Sequence, residues 1–256
     1  MRRCIAVAVI AGLLVAAYGF TSATRRVVAF STPFGVGERL SYNVNFSFLH
    51  VGSGEMSVVA LDTVSAHPVW HAVLALRGGM AFFRVNDSTS SWFDTVSFSS
   101  RRFTQRLREG RYHADRDFNI DPERRVYTAK GGAEKPSVVD PLDDVSFVYF
   151  LRTLSLTPGN SYTFHRYFQP EGNPVVIHVI RREQISVPAG TFNALLIEPR
   201  ITARGVFSEN GRAQLWLSDD SARVLLQLKS KLSFGSINLY LKQVTAPRAA
   251  TTTRQR

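Results

Sequence analysis

The sequence predicts a mainly β protein, in which a strongly curved antiparallel sheet or incomplete barrel surrounds one central helix at about residues 142–154. Three observations lead to this prediction. Apolar and polar residues alternate with a period of two in many short runs, turn residues separate those runs, and one stretch after Pro141 has helical spacing instead. An antiparallel sheet with one wet face must cover its apolar face, and curvature around a helix achieves that.

The clearest strand follows Arg39. A period of two places apolar side chains on one face and polar side chains on the other, so this strand is expected to be half-buried. The glycines of 52–54 permit sharp bending, so a second strand over 55–61 is expected either to pair with the first as a hairpin or to continue it as a curled strand. The apolar set is Leu40, Tyr42, Val44, Phe46 and Phe48, and the polar set is Ser41, Asn43, Asn45 and Ser47.

Turn chemistry separates the later strands. Asn210-Gly211 is the strongest hairpin signal in the chain. Gly190 is expected to adopt a positive φ at a strand corner, and Asp219 and Asp220 are expected to hydrogen-bond the amides of their own turn. The predicted strands cover 69–76, 88–98, 102–108, 111–118, 125–129, 162–168, 175–187, 201–207, 213–217 and 226–234.

The predicted helix begins among three carboxylates and carries one apolar stripe. The acidic residues Asp140, Asp143 and Asp144 suit the positive end of the helix dipole and can cap its free amides. Arg152 shares the stripe with apolar residues, so its guanidinium needs a partner if the stripe is buried. We therefore predict a buried ion pair at Arg152. The stripe consists of Val145, Val148, Tyr149 and Arg152.

The N-terminus has the order of a secretory signal peptide over residues 1–23: two arginines, an apolar run, then small residues. Retention of this run as a membrane anchor is the alternative, because its length is at the short end of what spans a bilayer. We expect an exported protein of the periplasm or cell envelope. The predicted organisation continues with a leader-proximal segment over 24–33, a single β-rich domain over 34–244 and a disordered tail over 245–256.

The 256 residues carry a formal charge of +11, which favours an anionic partner. Arg102, Arg106 and Arg108 share one strand parity, and that face would suit anionic lipid headgroups, a membrane surface or polysaccharide. A solvated strand face is the alternative. Nucleic acid is not expected, because the chain is predicted to be exported.

No motif in the sequence points to catalysis, a metal or a cofactor. Cys4 is the only cysteine, and it precedes the apolar run. His67 and His71 are the only close histidines, and on a strand they would lie about 13 Å apart, too far for one ion. Neither a His-Glu-x-x-His motif nor a Gly-x-Ser-x-Gly motif occurs.

Five short motifs, in order, resemble the exported bacterial family known as domain of unknown function 3108. The resemblance covers roughly residues 34–244 and implies a mainly β envelope domain with no assigned activity. It implies no catalytic residue. The motifs are VGERLSY at 36–42, VGSGEM at 51–56, DVSFVYFLR at 144–152, VPAGTF at 187–192 and LWLSDD at 215–220.

The leading hypothesis is a non-catalytic domain whose curved sheet shelters an apolar or amphipathic, lipid-like ligand. An envelope glycan or ester hydrolase using two of the three carboxylates is one alternative; it requires them to face one open pocket. An assembly or scaffold protein is the other, and it predicts a flat apolar patch on the outer sheet face. The residues expected to line the concave face are Tyr42, Phe46, Trp92, Tyr149 and Trp216.

Overall fold

The computed structural model describes residues 32–80, 83–200, 213–232 and 235–248. They form one antiparallel sheet and a single α-helix, α1 (Asp144–Leu151). The strands are β1 (Arg39–Phe46), β2 (Leu49–Val64), β3 (His67–Met80), β4 (Phe83–Asp94), β5 (Ser100–Glu109), β6 (Tyr112–Asp121), β7 (Val126–Ala129), β8 (Glu134–Pro136), β9 (Ser161–Phe164), β10 (Val175–Val187), β11 (Gly190–Arg200), β12 (Ala213–Ser218), β13 (Leu225–Leu232) and β14 (Gly235–Thr245).

The sheet is open, and its order follows the chain except at one point. It runs from β8 down to β1, continues with β14, and then runs down to β9. The crossover therefore pairs the first strand with the last. Strands β8 and β9 form the two edges, and the predicted mainly β fold of an incomplete barrel is confirmed.

The buried side chains define an inner face of the sheet. Leu40, Tyr42 and Val44 of β1 are buried, as the alternation predicts. The register aligns Tyr42 with Leu241 and Val44 with Leu239 of β14, so the apolar row continues across the strand boundary. The opposite side of the sheet is called the outer face below.

Helix α1 packs against the inner face beside β3 and β4. It is shorter than the predicted 142–154, because Asp143 is its N-cap and Arg152 its C-cap. Five of its eight residues are buried apolar ones, and Ser146 is buried as well. The helix thus covers apolar surface that the curved sheet would otherwise leave open.

Strands β1 and β2 pair as a hairpin, one of the two predicted arrangements, but its turn does not lie at the glycines of 52–54. The β1–β2 turn lies at Ser47 and Phe48, and β2 continues through the glycines, with a register shift against β1 beside Gly52. A Cβ atom at Gly52 would overlap the carbonyl of Arg77, and one at Gly78 would overlap the carbonyl of Val51. These glycines therefore serve the close approach of β2 and β3 rather than a turn. Phe48 is 86% exposed, not part of a buried face.

Other predicted boundaries shift for local reasons. The strand predicted over 88–98 ends at Asp94, whose carboxylate accepts the amides of Val96 and Ser97 and so turns the chain. Strands β8, β11 and β14 were not predicted. The predicted signal peptide over 1–23, the strand over 201–207 and the Asn210-Gly211 hairpin lie outside the described residues. So does most of the predicted tail, although β14 reaches Thr245.

None of the helices in the described part of the chain has the length and apolar character that a membrane crossing requires.

Candidate functional site

A buried ion pair joins the end of α1 to the segment before β1. Arg152 donates from its two terminal nitrogens to the two Glu38 carboxylate oxygens, at 2.6 and 2.9 Å. The side chains are 0% and 4% exposed. The carbonyls of Ala222 and Pro33 accept further hydrogen bonds from Nε and Nη2 of Arg152 at 3.1 to 3.2 Å. The predicted buried ion pair is confirmed, and its acidic partner is Glu38.

Two of the five predicted ligand residues, Tyr42 and Tyr149, lie beside this ion pair. The Tyr42 hydroxyl donates to the Leu225 carbonyl at 2.9 Å. The Tyr149 ring packs against Phe34 at 4.7 Å and Phe93 at 5.6 Å between centroids. Burial raises the pKa of both tyrosines, so both stay neutral. The inner face here is occupied by the protein's own rings.

Trp92 was predicted to line the inner face, but it does not. It alternates with the buried Ser91 and Phe93 along β4, so it lies on the outer face. Its ring stacks on His71 at 4.2 Å and lies 5.1 Å from the Arg102 guanidinium.

Trp216 is buried, at 6% exposure, and its side chain lies on the side of β12 opposite to those of Leu215 and Leu217. Its indole N–H donates to Glu183 at 2.7 Å, and the Lys229 ammonium lies 5.3 Å from the ring. Phe46 is half-buried at the end of β1, opposite Ile237. The structure therefore does not bring the five predicted residues to one surface.

The three predicted acidic residues have separate environments. Asp143 Oδ1 accepts the amides of Val145 and Ser146 at 2.8 and 2.9 Å, and Oδ2 accepts the Ser91 hydroxyl at 2.5 Å. Helix capping is confirmed, and burial raises the pKa of Asp143. Asp140 is exposed and faces Ser99 at 3.4 Å.

Asp144 is half-buried and is not the cap. Its carboxylate accepts a long hydrogen bond of 3.4 Å from the Gln105 side chain. Burial, and then the charge of Asp143, raise the pKa of Asp144 to about 7. Among the described residues, no group of histidines or carboxylates is arranged to hold a metal ion.

Gly190 and Asp220 act in their turns as predicted, whereas the Asp219 carboxylate binds an arginine side chain instead of a turn amide. Gly190 has a φ of +137° between β10 and β11. Asp220 Oδ1 accepts the amides of Ala222 and Arg223, both at 3.0 Å, and so closes the turn after β12. Asp219 pairs with Arg182 at 2.7 Å.

The predicted cationic face of β5 is largely neutralised by its neighbour β6. Arg102 pairs with Asp117 at 2.9 Å and Arg108 with Asp115 at 2.8 Å. The β5–β6 register places Arg106 opposite Asp115 on the same face. The acidic residues of 111–118 alternate in the sequence too, so this pairing could have been read from the hairpin register.

A polar groove of about 470 Å³ lies on the outer face where β14, β1, β2 and β3 meet. Outward side chains Ser41, Asn43 and Ser53 form its floor, and Arg77 and Lys242 approach from opposite sides. No sequence pattern predicts this groove, because its residues come from strands distant in the chain and match no motif. The remaining lining residues are Arg39, Tyr42, His50, Gly52, Gly54, Glu55 and Ala75.

The groove has an excess of positive charge. Arg39 pairs with Glu55 at 2.9 Å, and His50 Nδ1 lies 3.4 Å from the Asn45 side-chain oxygen. Within the described residues, neither Arg77 nor Lys242 has a carboxylate within ion-pair distance. Two cations therefore face a floor of hydroxyl and amide groups without local compensation.

Backbone contact fixes one side of the groove. The glycines at 52 and 78 let β2 and β3 approach closely around Arg77. The Arg77 side chain is exposed and aligned with Ser53 across the strands. The position of the Arg77 guanidinium thus depends on two glycines, Gly52 and Gly78, which let the two strands approach.

An open, strongly curved antiparallel sheet with an internal helix defines a barrel-like domain. The fold is similar to that of the beta-barrel-like protein of domain of unknown function DUF1849 from Brucella abortus, with a TM-score of 0.54, 10% identity, and coverage of 84% of this chain and 99% of that one. A protein with a YmcC-like fold from Bacteroides fragilis has a TM-score of 0.39 at 11% identity, covering 85% and 99% of the two chains, which is too distant to add to this. No curated protein matches the sequence.

The chain belongs to the DUF3108 family, described as a protein of unknown function, which matches residues 41–242. The matched range runs from β1 to β14 and includes all the residues of the groove except Arg39. The resemblance of the five motifs is thereby confirmed.

Proposed function

We propose that this protein is a non-catalytic binding domain of the cell envelope that holds an anionic, amphipathic, lipid-like ligand by its polar head in the outer groove. The observation that carries this proposal is the pair Arg77 and Lys242, which approach the same polar floor without a carboxylate partner among the described residues.

The side chains of the groove suit an oxygen-rich anion. Arginine binds phosphate or carboxylate through two parallel hydrogen bonds, and lysine acts as a mobile point charge. The backbones of β14 and β3 lie about 14 Å apart, three strand spacings, and both side chains are long enough to reach a ligand between them. Ser41 and Asn43 on the floor provide hydrogen-bonding groups for hydroxyl or ester oxygens.

The apolar part of the ligand has a place next to the groove. His50 lies at one end of the lining, and the chain neighbours Leu49 and Phe48 are exposed in the β1–β2 turn. An acyl chain leaving the groove at His50 would meet these side chains. The inner face, in contrast, is filled around Tyr42 and Tyr149 by protein rings.

The two alternatives from the sequence have less support. A hydrolase with paired carboxylates needs two of them in one open pocket, whereas Asp143 points at helix amides and Asp140 lies apart. A scaffold protein needs a flat apolar outer face, whereas the Trp92 ring there lies beside the Arg102 guanidinium and Trp216 is buried.

The proposal is tested with a ligand that forms no membrane. Short-chain phosphatidylglycerol below its micellar concentration is titrated into the protein by calorimetry, with short-chain phosphatidylcholine as the neutral-head comparison. Arg77→Gln and Lys242→Gln are each expected to weaken phosphatidylglycerol binding roughly 5- to 30-fold, from about 1 to 2 kcal/mol per charged contact.

The matched control is Lys135→Gln, which removes one charge from an exposed residue of the edge strand β8, far from the groove. It should leave the affinity unchanged. No binding, equal binding of the two lipids, or an equal loss in the control would overturn the proposal.

A further inference from the structure

We infer that one edge of the sheet, formed by the β1–β2 and β5–β6 turns, docks on an anionic bilayer surface. This docking edge consists of Phe48, Leu49, Arg84, Arg111 and Tyr112. The inference takes the envelope setting from the proposed function, but it concerns different residues and a different event, the approach of the whole domain to a membrane.

The topology brings these residues to the same edge. Strands β1 to β6 are consecutive antiparallel neighbours, so the β1–β2 and β5–β6 turns emerge on one side, about 19 Å apart over four strand spacings. Arg84 joins them at the start of β4, where its carbonyl accepts the Gly110 amide at 2.7 Å. The docking edge thus spans the width of several lipid headgroups.

The apolar part of the docking edge is held outward. Phe48 is 86% exposed, Leu49 47% and Tyr112 48%. Ser47 fixes the turn, because its amide donates to Ser236 at 2.7 Å and its carbonyl accepts the Asn238 side chain at 2.9 Å. A fixed, exposed phenylalanine beside an amphipathic tyrosine suits the boundary between headgroups and acyl chains.

The charged part of the docking edge is basic. Arg84 and Arg111 are both exposed. Glu109, two residues before Arg111, is half-buried, and burial and then the neighbouring Asp87 raise the pKa of its carboxyl. The turns at the opposite edge of the same strands carry Asp94 and Asp121, which bind turn amides, and Arg124, which pairs with Glu134 at 2.8 Å.

Charge complementarity therefore selects an anionic bilayer as the occupant. Basic side chains near an anionic membrane surface each contribute attraction, and exposed aromatic and aliphatic groups add burial. Docking by this edge would also place the His50 end of the groove next to the membrane.

Vesicle binding tests the inference. The full-length protein is sedimented with vesicles of phosphatidylcholine, with and without phosphatidylglycerol. We expect binding to the anionic vesicles, about a tenfold loss for Phe48→Ser, and about a fivefold loss for each of Arg84→Ser and Arg111→Ser. Thermal unfolding of each variant confirms that it is folded.

Matched controls lie at the opposite edge. Val96→Ser removes an exposed apolar side chain, and Arg124→Ser removes an exposed arginine, from turns on that edge. Both should bind anionic vesicles like the wild type. Equal binding to neutral vesicles, full binding by Phe48→Ser, or an equal loss in the controls would overturn the inference.

The two proposals fail separately. Arg111→Ser should still bind soluble short-chain phosphatidylglycerol, because Arg111 neither lines the groove nor lies on the path proposed for the acyl chain. If the wild type binds no soluble lipid while vesicle binding depends on Phe48 and Arg111, the groove proposal fails and membrane docking stands. If soluble lipid binds but the docking edge can be substituted without effect on vesicle binding, docking fails and the groove stands.

Discussion

Removal of the Glu38 carboxylate should strongly destabilise the fold. Glu38→Gln leaves the Arg152 guanidinium charged and buried without a counter-charge, with the carbonyls of Ala222 and Pro33 and one uncharged amide oxygen as acceptors. The two lost charge-assisted hydrogen bonds measure 2.6 and 2.9 Å, and both side chains are almost fully buried. Breaking such a pair from one side costs about 3 to 5 kcal/mol.

The assay is urea unfolding followed by tryptophan fluorescence and circular dichroism. The double variant Glu38→Gln with Arg152→Met removes the orphaned charge and should recover much of the stability lost in the single variant. The control is the exposed pair Arg39 and Glu55, where Glu55→Gln should cost less than about 1 kcal/mol. A cost for Glu38→Gln as small as that of Glu55→Gln would refute the reasoning.

Three further predictions concern other parts of the chain. Asp144→Asn should raise the free energy of unfolding at pH 8 and have no effect below about pH 4. Because the pKa of Asp144 is raised to about 7, its contribution to stability is fully present at low pH and is lost as the pH rises toward 7. A difference between variant and wild type that does not depend on pH would contradict this prediction. Gly52→Ala should unfold at lower temperature than Gly54→Ala, because a Cβ at 52 meets backbone whereas one at 54 meets the movable Leu76 side chain; equal melting temperatures would oppose this account. Burial lowers the pKa of His71, so the fluorescence of the stacked Trp92 should change with pH with a midpoint below pH 6.5. This pH-dependent change should be absent in His71→Gln. A midpoint above pH 6.5 would contradict burial as the cause of the shift.

Local patterns were sufficient to predict the sheet and the helix. The alternation from Leu40 to Val44 predicted which side chains are buried, and the aspartates before the helix predicted a capped N-terminus. Both features depend on neighbours within a few residues. The buried partner of Arg152 could not be named, because Glu38 lies on a segment far away in the sequence.

Glycine in a strand misled the sequence reading. Gly52 looked like a bend because glycine is uncommon within strands, but its role is to let β2 contact the backbone of β3. A bend at Gly52 and a close contact between the two strands can be distinguished only when Gly78 is known to lie on the facing strand. Phe48 was assigned to the buried face for the same reason, since the turn was placed too late in the chain.

The candidate site depends on pairings between strands, which one strand's pattern does not contain. Trp92 and Trp216 were expected on the concave face because they are large rings. The parity of Phe93 places Trp92 on the outer face, and Trp216, although buried, lies on the side of β12 opposite to Leu217. Arg77 and Lys242 are isolated basic residues in the sequence, and neither belongs to a pattern that predicts a binding site. They become neighbours of one groove only through the pairing of β14 with β1.

The most direct test of the central claim is the affinity of the double variant Arg77→Gln with Lys242→Gln for soluble short-chain phosphatidylglycerol. The two cations are predicted to act on the same head, so the double variant should bind at least about 25-fold more weakly than the wild type while Lys135→Gln binds normally. An unchanged affinity in a folded double variant would show that the outer groove does not hold the ligand.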